Sequence, residues 1–166
     1  MAGAVIPLEE LAPRLERGGR LLGLDLGSKT IGLALSDVEY RIATALRTLE
    51  RGKFRDDAAA LARIVDEFGI VALVLGLPLN MDGSSGPRVQ ATRAFARNLL
   101  PLLPLPIVLW DERLSTAAAE RVLISADLSR TKRAAVIDAT AAAYILQGAL
   151  DRLARIDPHQ ASGGLG

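Results

Sequence analysis

The chain has 166 residues, of which 50% are hydrophobic, and this length and composition predict one globular domain with its own core. It has no cysteine, which excludes a disulfide framework, a thiol nucleophile and zinc–thiolate sites; its single histidine, His159, lies in a polar tail, so any metal must be held mainly by oxygen. The formal net charge of +1 provides no overall basic field for a polyanionic partner. Of the 20 basic residues, 17 are arginine, which binds phosphate oxygens better than lysine, but such an excess is also typical of GC-rich coding, which is the preferred interpretation.

The apolar stretches are too short to cross a membrane. The longest, 70–79 and 99–110, fall well below the ~20 residues that a membrane helix needs. The N-terminus has no basic segment before an apolar run, so it does not resemble a signal peptide, and we expect a cytoplasmic protein. Both ends mix Pro, Gly and polar residues, which predicts a flexible extension over 1–19, a domain over 20–155 and a flexible tail over 156–166.

The predicted elements begin with three strands. Two short apolar runs, 21–26 and 31–36, flank Gly27-Ser28-Lys29-Thr30, a pattern that predicts a β-hairpin, and a third strand follows near 42–49. The remaining elements are a helix at 56–68, a strand at 71–77, a helix at 88–100, a strand at 107–110 and helices at 115–126 and 132–153. This order predicts an α/β fold, with a five-stranded mixed sheet and helices on both faces. Ligands of such sheets bind beyond the carboxyl ends of the strands.

Acidic residues stand at the ends of two predicted strands. Asp25 lies within the apolar strand 21–26, where a carboxylate is costly unless it is hydrogen-bonded, paired or bound to a metal. Asp111 and Glu112 directly follow the strand 107–110, so one of them emerges at its carboxyl end. Two structural interpretations remain open: Asp25 accepts hydrogen bonds from the amides of the turn after it, and the pair caps the next helix.

A third acid, Asp138, occupies a core position of the last predicted helix. It interrupts a stripe of mainly small residues spaced three or four apart, namely Ala134, Ala141, Ala142, Ile145 and Ala149. Unless the helix phase drifts and leaves Asp138 in solvent beside Arg133, this acid faces the sheet. Two strand-end acids and one helix acid at one sheet edge form an oxygen-rich site suited to Mg²⁺ or Mn²⁺. Two such ions, roughly 4 Å apart, hydrolyse phosphodiesters without a histidine base.

Four segments resemble the YqgF/RuvX family in the correct order: LLGLDLGSKTIGLALSD, LVLGLPLNMDGSSG, DERLST and AAVIDATAAAYILQ. The resemblance covers about residues 20–153 and implies an RNase H-like fold of the RuvC type, with catalytic acids at Asp25, the Asp111–Glu112 pair and Asp138. In the resolvase relatives the second acid ends the fourth strand, whereas here that strand ends Gly76-Leu77-Pro78. We therefore expect the metal ligands to be Asp25, Glu112 and Asp138, with Glu112 favoured because Asp111 could face the neighbouring helix.

The resemblance also implies an activity. It predicts an endonuclease that uses Mg²⁺ or Mn²⁺ and acts on structured RNA, in the maturation of the 5′ end of pre-16S rRNA in the pre-ribosome, as a monomer or weak homodimer. The alternative is a Holliday-junction resolvase acting on branched DNA, which must dimerise to cut two strands symmetrically. Two further alternatives are a non-catalytic RNA-binding assembly factor and an ATPase of the actin and Hsp70 type. The three acids argue against the former, and the single phosphate loop argues against the latter.

Several polar residues near the acids are candidates for nucleic-acid contact, namely Ser28, Lys29, Thr30, Asn80, Arg88 and Arg113. The turn at 27–30 places backbone and a lysine close to a scissile phosphate, and the loop from Asn80 leads to a helix N-terminus at Arg88, which attracts anions. An ordinary hairpin turn and an ordinary surface loop are the alternatives. Arg113 could bind phosphate or neutralise Asp111. Aromatic residues make up 4% of the chain, so phosphate and shape, rather than base stacking, should dominate recognition.

Overall fold

The computed structural model describes residues 3–114 and 130–156, and in the last helix it describes side chains from residue 139 onward. Five strands form one sheet in the order β3-β2-β1-β4-β5. The strands are β1 (Arg20–Leu26), β2 (Thr30–Ser36), β3 (Ala43–Glu50), β4 (Ile70–Leu77) and β5 (Ile107–Asp111). β2 is antiparallel to β1 and β3, whereas β1, β4 and β5 are parallel, so the predicted mixed sheet is confirmed. The carboxyl ends of β1, β4 and β5 therefore lie at one edge, together with the end of β3.

Helices cover both faces of this sheet, as predicted. They are α1 (Leu8–Leu11), α2 (Phe54–Phe68), α3 (Pro87–Leu99) and α4 (Arg130–Ile156), with short 3₁₀ helices at Ala12–Arg14 and Glu112–Leu114. α2 ends at Gly69, whose φ of 64° suits the left-handed conformation that glycine adopts easily. The helix predicted over 115–126 lies outside the described residues. No helix in the described part of the chain is long and apolar enough to span a membrane.

The central strand β1 is buried on both faces, which explains its nearly continuous apolar sequence. Leu22 and Leu24 belong to the core formed with α2 and α3. Gly23 points the other way: a Cβ at that position would lie 2.8 Å from Cβ of Leu146 and 3.0 Å from the carbonyl oxygen of Ala142. The glycine therefore lets α4 pack directly on the backbone of β1.

The N-terminal segment differs from the prediction of a flexible extension over 1–19. Ile6, Leu8 and Leu11 are buried in the core on the α4 side of the sheet. The amide of Ile6 also donates a hydrogen bond of 2.9 Å to the carbonyl of Ile107, which ties the segment to the start of β5. The Pro, Gly and charged residues around these three side chains concealed their apolar pattern, and burial of that pattern against α4 orders the segment.

Candidate active site at the carboxyl edge of the sheet

Asp25 lies near the carboxyl end of β1, on the face that α4 covers. Its position two residues after Gly23 puts its side chain on the same face, and it is 5% exposed. Its cross-strand partner on β2 is Gly32, and the register of β1 and β4 places Gly76 beside it on the other side. Because neither residue has a side chain, no side chain from β2 or β4 flanks the Asp25 carboxylate at these two positions.

Glu112 approaches the same place from the end of β5. The strand pairing aligns Trp110 with Gly76, and the chain then turns into the 3₁₀ helix at Glu112–Leu114. The Glu112 side chain lies over Gly76, because a Cβ on that glycine would be 2.9 Å from Oε1 and 3.1 Å from Cγ of Glu112. Gly76 belongs to β4, the strand next to β1, so the Glu112 side chain lies over the strand that neighbours Asp25. The structure thus brings together two of the predicted acids.

α4 closes this site from above. A Cβ on Gly76 would lie 2.6 Å from Cδ1 of Ile145, so the helix touches the same glycine that Glu112 covers. Asp138 lies one helical turn before Ala142 in α4, but its side chain lies outside the described residues. Among the described side chains, no group of three or more His, Cys, Asp and Glu is arranged to hold a metal ion.

The Asp111 side chain forms an ion pair with Arg113. The Arg113 Nη2–Asp111 Oδ2 distance is 2.7 Å, Nε of Arg113 lies 3.1 Å from both carboxylate oxygens, and the Arg113 amide donates to Oδ1 at 2.9 Å. These side-chain hydrogen bonds lower the pKa of Asp111 below its ordinary value, against a smaller opposing effect of burial. Asp111 pairs with Leu77, which belongs to the α2 and α3 side of strand β4, whereas Glu112 covers Gly76 on the α4 side. The side chains of Asp111 and Glu112 therefore lie in different surroundings.

The turn between β1 and β2 lies at the same edge of the sheet. The amide of Gly27 donates to the Thr30 carbonyl at 2.8 Å, which closes the predicted hairpin turn. A Cβ on Gly27 would lie 3.1 Å from that carbonyl, so the tight turn favours glycine. Ser28 and Lys29 are exposed at its tip. The turn therefore presents a hydroxyl and an ammonium group beside the strand end that carries Asp25.

The loop from β4 to α3 is held by its own polar groups. Nδ2 of Asn80 donates to the Ser84 hydroxyl at 2.9 Å, and the amide of Ser84 donates to Oδ1 of Asp82 at 2.8 Å. Gly83 has a φ of 87°, where glycine is strongly favoured. Nη1 of Arg113 donates to the Met81 carbonyl at 3.3 Å, so this arginine links the loop to β5 as well as to Asp111. Asn80 and Arg113 therefore have structural roles that the sequence interpretation left open.

The structure also forms a cleft that sequence reasoning identified only in part. The cleft has a volume of about 440 Å³ and lies between the hairpin turn and α3. Its lining includes the predicted residues Ser28 and Arg88 but also Arg51, which was not predicted. The signal that could have found Arg51 is the strand register: Thr30 pairs with Glu50, so the residue after β3 must lie beside the turn.

Comparison with known proteins identifies the family of the chain. Residues 19–152 match the family described as RuvX, Holliday junction resolvase. A protein of Beijerinckia indica subsp. indica, named "Putative pre-16S rRNA nuclease", is 63% identical over 154 residues, which are 93% of this chain and 93% of the relative. A protein of Cereibacter sphaeroides with the same name is 64% identical over 146 residues, 88% of this chain and 91% of the relative.

Two solved resolvases resemble the structure at low sequence identity. RuvC of T. thermophilus in complex with a Holliday junction substrate has a TM-score of 0.53 and 13% identity, covering 82% of this chain and 96% of RuvC. The yeast mitochondrial Holliday junction resolvase Ydc2 has a TM-score of 0.51 and 12% identity, covering 93% of this chain and 88% of Ydc2. The likeness confirms the predicted RNase H-like fold of the RuvC type. By its sequence over most of its length, the chain belongs to the RuvX family of nucleases.

Proposed function

We propose that this chain is a metal-dependent endonuclease that matures the 5′ end of pre-16S rRNA. The observation that carries the proposal is the meeting of Asp25 and Glu112 beside Gly76, at the carboxyl edge of the sheet. The substrate follows from the names of relatives that are more than half identical over nearly the whole chain. A reaction on ribosomal RNA precursors would take place in the cytoplasm.

The residues present suit a divalent cation. Neighbouring carboxylates repel each other when both are ionised, and a cation between them would remove that repulsion. Asp25, Glu112 and, from α4, Asp138 would hold Mg²⁺ or Mn²⁺, because these ions prefer carboxylate oxygen. When bound, such an ion lowers the pKa of an attacking water and stabilises the charge on the leaving oxygen.

The other residues around the carboxylates position the substrate. Lys29 and Ser28 are exposed at the turn that follows Asp25, where they can contact the phosphates of an approaching strand. Ile145 of α4 packs over Gly76 beside these acids and keeps bulk water from that side. Exclusion of water strengthens the attraction between these acids and a cation.

Gly76 provides a test of this arrangement. We expect Gly76→Ala to reduce nuclease activity at least about tenfold, because its Cβ would displace the Glu112 carboxylate, and to destabilise the fold by about 1–3 kcal/mol through overpacking. Gly19→Ala is the matched control: its Cβ would lie 2.6 Å from Cγ1 of Val71 at the opposite edge of the sheet, so stability should fall without a comparable loss of activity. Cleavage assays and thermal unfolding of both variants measure the difference. Equal losses of activity would contradict a special role of the glycine beneath Glu112.

The substrate proposal is tested in the host cell. We expect depletion of the protein to leave 16S rRNA with extended 5′ ends, and a plasmid copy of the wild-type chain to restore mature ends. The Asp25→Asn copy should fail to restore them, whereas Asp66→Asn, which removes the same charge from the exposed side of α2, should succeed. Primer extension maps the ends. Mature 5′ ends after depletion would reject the assignment to 16S rRNA.

Holliday-junction resolution is the second candidate, favoured by the description of the matching family. A resolvase cuts two strands symmetrically, which requires a dimer. Cleavage of a synthetic four-way DNA junction and the mass of the purified protein in solution test this alternative. Paired, symmetric cuts by a dimer, together with unchanged 16S ends in the depleted cell, would establish the resolvase function in place of the proposed one.

A further inference from the structure

The cleft between the hairpin turn and α3 carries positive charge. Its lining consists of Leu26, Gly27, Ser28, Arg51, Pro87, Arg88, Ala91 and Thr92, and thus contains two guanidinium groups and no carboxylate. Within the described parts of the chain, neither Arg51 nor Arg88 forms an ion pair with an acid. Both charges therefore remain available to an anion.

The two guanidinium groups are anchored on the backbone of the turn. Nη1 of Arg51 donates to the Gly27 carbonyl at 2.6 Å, and Nη2 of Arg88 lies 3.5 Å from the Leu26 carbonyl. A guanidinium has five N–H donors, so each arginine keeps several for a ligand after making its contact. The consecutive carbonyls of Leu26 and Gly27, at the end of β1, thus hold both guanidinium groups at the cleft.

Further contacts hold Arg51 beside the turn. Its amide donates to the Lys29 carbonyl at 2.8 Å, and its guanidinium carbon lies 5.6 Å from the centre of the Phe95 ring. Phe95 is itself fixed by edge-to-face packing on Phe54, with 5.4 Å between the ring centres. Because the side chain is already ordered, binding costs less conformational entropy than it would for a mobile surface arginine.

The start of α3 strengthens the attraction for anions. Gly86 occupies the N-cap position without a side-chain hydrogen bond to the first amides of the helix, and Pro87 and Arg88 follow it into the cleft. Pro87 has no amide hydrogen and the Val89 amide donates to the Gly86 carbonyl at 3.1 Å, so the helix dipole is what favours negative charge at this end. A volume of about 440 Å³ accommodates a phosphate with an attached ribose.

We infer that this Arg51–Arg88 cleft binds an internal backbone phosphate of the substrate strand, close to the phosphate that is cleaved. The inference rests on the proposed nuclease function. Asp25 and Ser28 are three residues apart, so their Cα atoms are at most about 11 Å apart, a span that a single nucleic-acid strand can bridge as it crosses the turn. A phosphate held in the cleft would fix the register of the strand relative to Asp25 and Glu112.

The test measures binding in the Asp25→Asn protein, in which cleavage is not expected. The probe is a fluorescein-labelled RNA hairpin with a single-stranded 5′ extension and a 5′ hydroxyl, followed by fluorescence anisotropy over a range of salt concentrations. We expect Arg51→Ala and Arg88→Ala each to raise Kd about tenfold and to reduce the slope of log Kd against log salt by about 1. Arg51→Lys keeps the charge but not the two-pronged geometry of the guanidinium, so its Kd should lie between that of the parent protein and that of Arg51→Ala.

Exposed arginines on the same elements provide the controls. Arg47→Ala on β3 and Arg93→Ala on α3 remove one charge each outside the cleft and should change Kd less than about twofold. Thermal unfolding checks that every variant is folded, and Arg88→Ala gives a second reading if Arg51→Ala unfolds. Losses for the cleft variants no larger than those of the controls would overturn the inference.

The remaining outcomes separate this inference from the proposed function. If Arg51→Ala and Arg88→Ala weakened the binding only of a 5′-phosphorylated probe, the cleft would recognise a terminal phosphate, and the inference of an internal phosphate would be overturned. A wild-type protein that cleaves RNA, with no effect of Arg51 or Arg88 on binding, would refute the inference and leave the nuclease function intact. Arginine-dependent binding by a protein that never cleaves would support the cleft and refute the nuclease function.

Discussion

Asp25→Asn is expected to abolish cleavage, with a loss of at least about a thousandfold, while the protein stays folded. The amide keeps the shape of the carboxylate but removes the negative charge that attracts a divalent cation, and stabilisation by such an ion amounts to several kcal/mol in the transition state. The side chain is 5% exposed, and asparagine has the same size and can still form hydrogen bonds, so the variant should remain folded. Cleavage rates and thermal unfolding test both statements.

Metal binding gives a readout that does not depend on activity. Mg²⁺ or Mn²⁺ should raise the Tm of the wild type, because a ligand that binds only the folded state stabilises it, and this rise should disappear in Asp25→Asn. Asp66→Asn, with the same change on the exposed surface of α2, should retain both the rise and the activity. Undiminished cleavage by Asp25→Asn would place the chemistry elsewhere. Restoration of mature 16S ends by that variant would instead favour a non-catalytic assembly factor.

The second large effect is expected from Glu112→Gln, compared with Asp111→Asn. Glu112→Gln should reduce cleavage at least about a hundredfold, because it removes a charge from the carboxylate beside Asp25. Asp111→Asn should reduce cleavage less than about fivefold, because the Asp111 carboxylate forms an ion pair with Arg113 and its strand partner is Leu77 rather than Gly76. Single-turnover cleavage at saturating metal measures both. A reversed order would make Asp111 the second metal ligand.

The two variants should also differ in stability. The Asp111–Arg113 pair is partly exposed, so its loss should cost no more than about 1 kcal/mol. Arg113 lowers the pKa of Asp111, which means that the folded state favours the ionised form. This contribution is complete above the unfolded-state pKa and disappears as the pH falls through the lowered folded-state value. The stability difference between wild type and Asp111→Asn should therefore be present at neutral pH and vanish in acid.

Local patterns in the sequence determined the elements and the family. The period of apolar residues predicted all five strands and the helices α2, α3 and α4, because alternation and three-to-four spacing directly reflect which face of an element is buried. The four motifs predicted the RuvX family and the RuvC-type fold, which the comparisons confirm. An acid inside an apolar strand marked Asp25 because a buried charge requires a functional or structural partner. The catalytic roles of Asp25, Glu112 and Asp138 remain predictions.

Contacts between residues distant in sequence were decided only by the tertiary structure. Gly76 carries no chemical signal, yet the register of β4 with β1 and β5 makes it the gap that Glu112 fills. Arg51 reaches the hairpin turn because β3 runs antiparallel to β2, and Ile6, Leu8 and Leu11 are ordered because α4 offers them a surface to cover. Such contacts depend on strand register and on packing between elements. A local sequence pattern shows which face of an element is buried, but not which other element that face packs against.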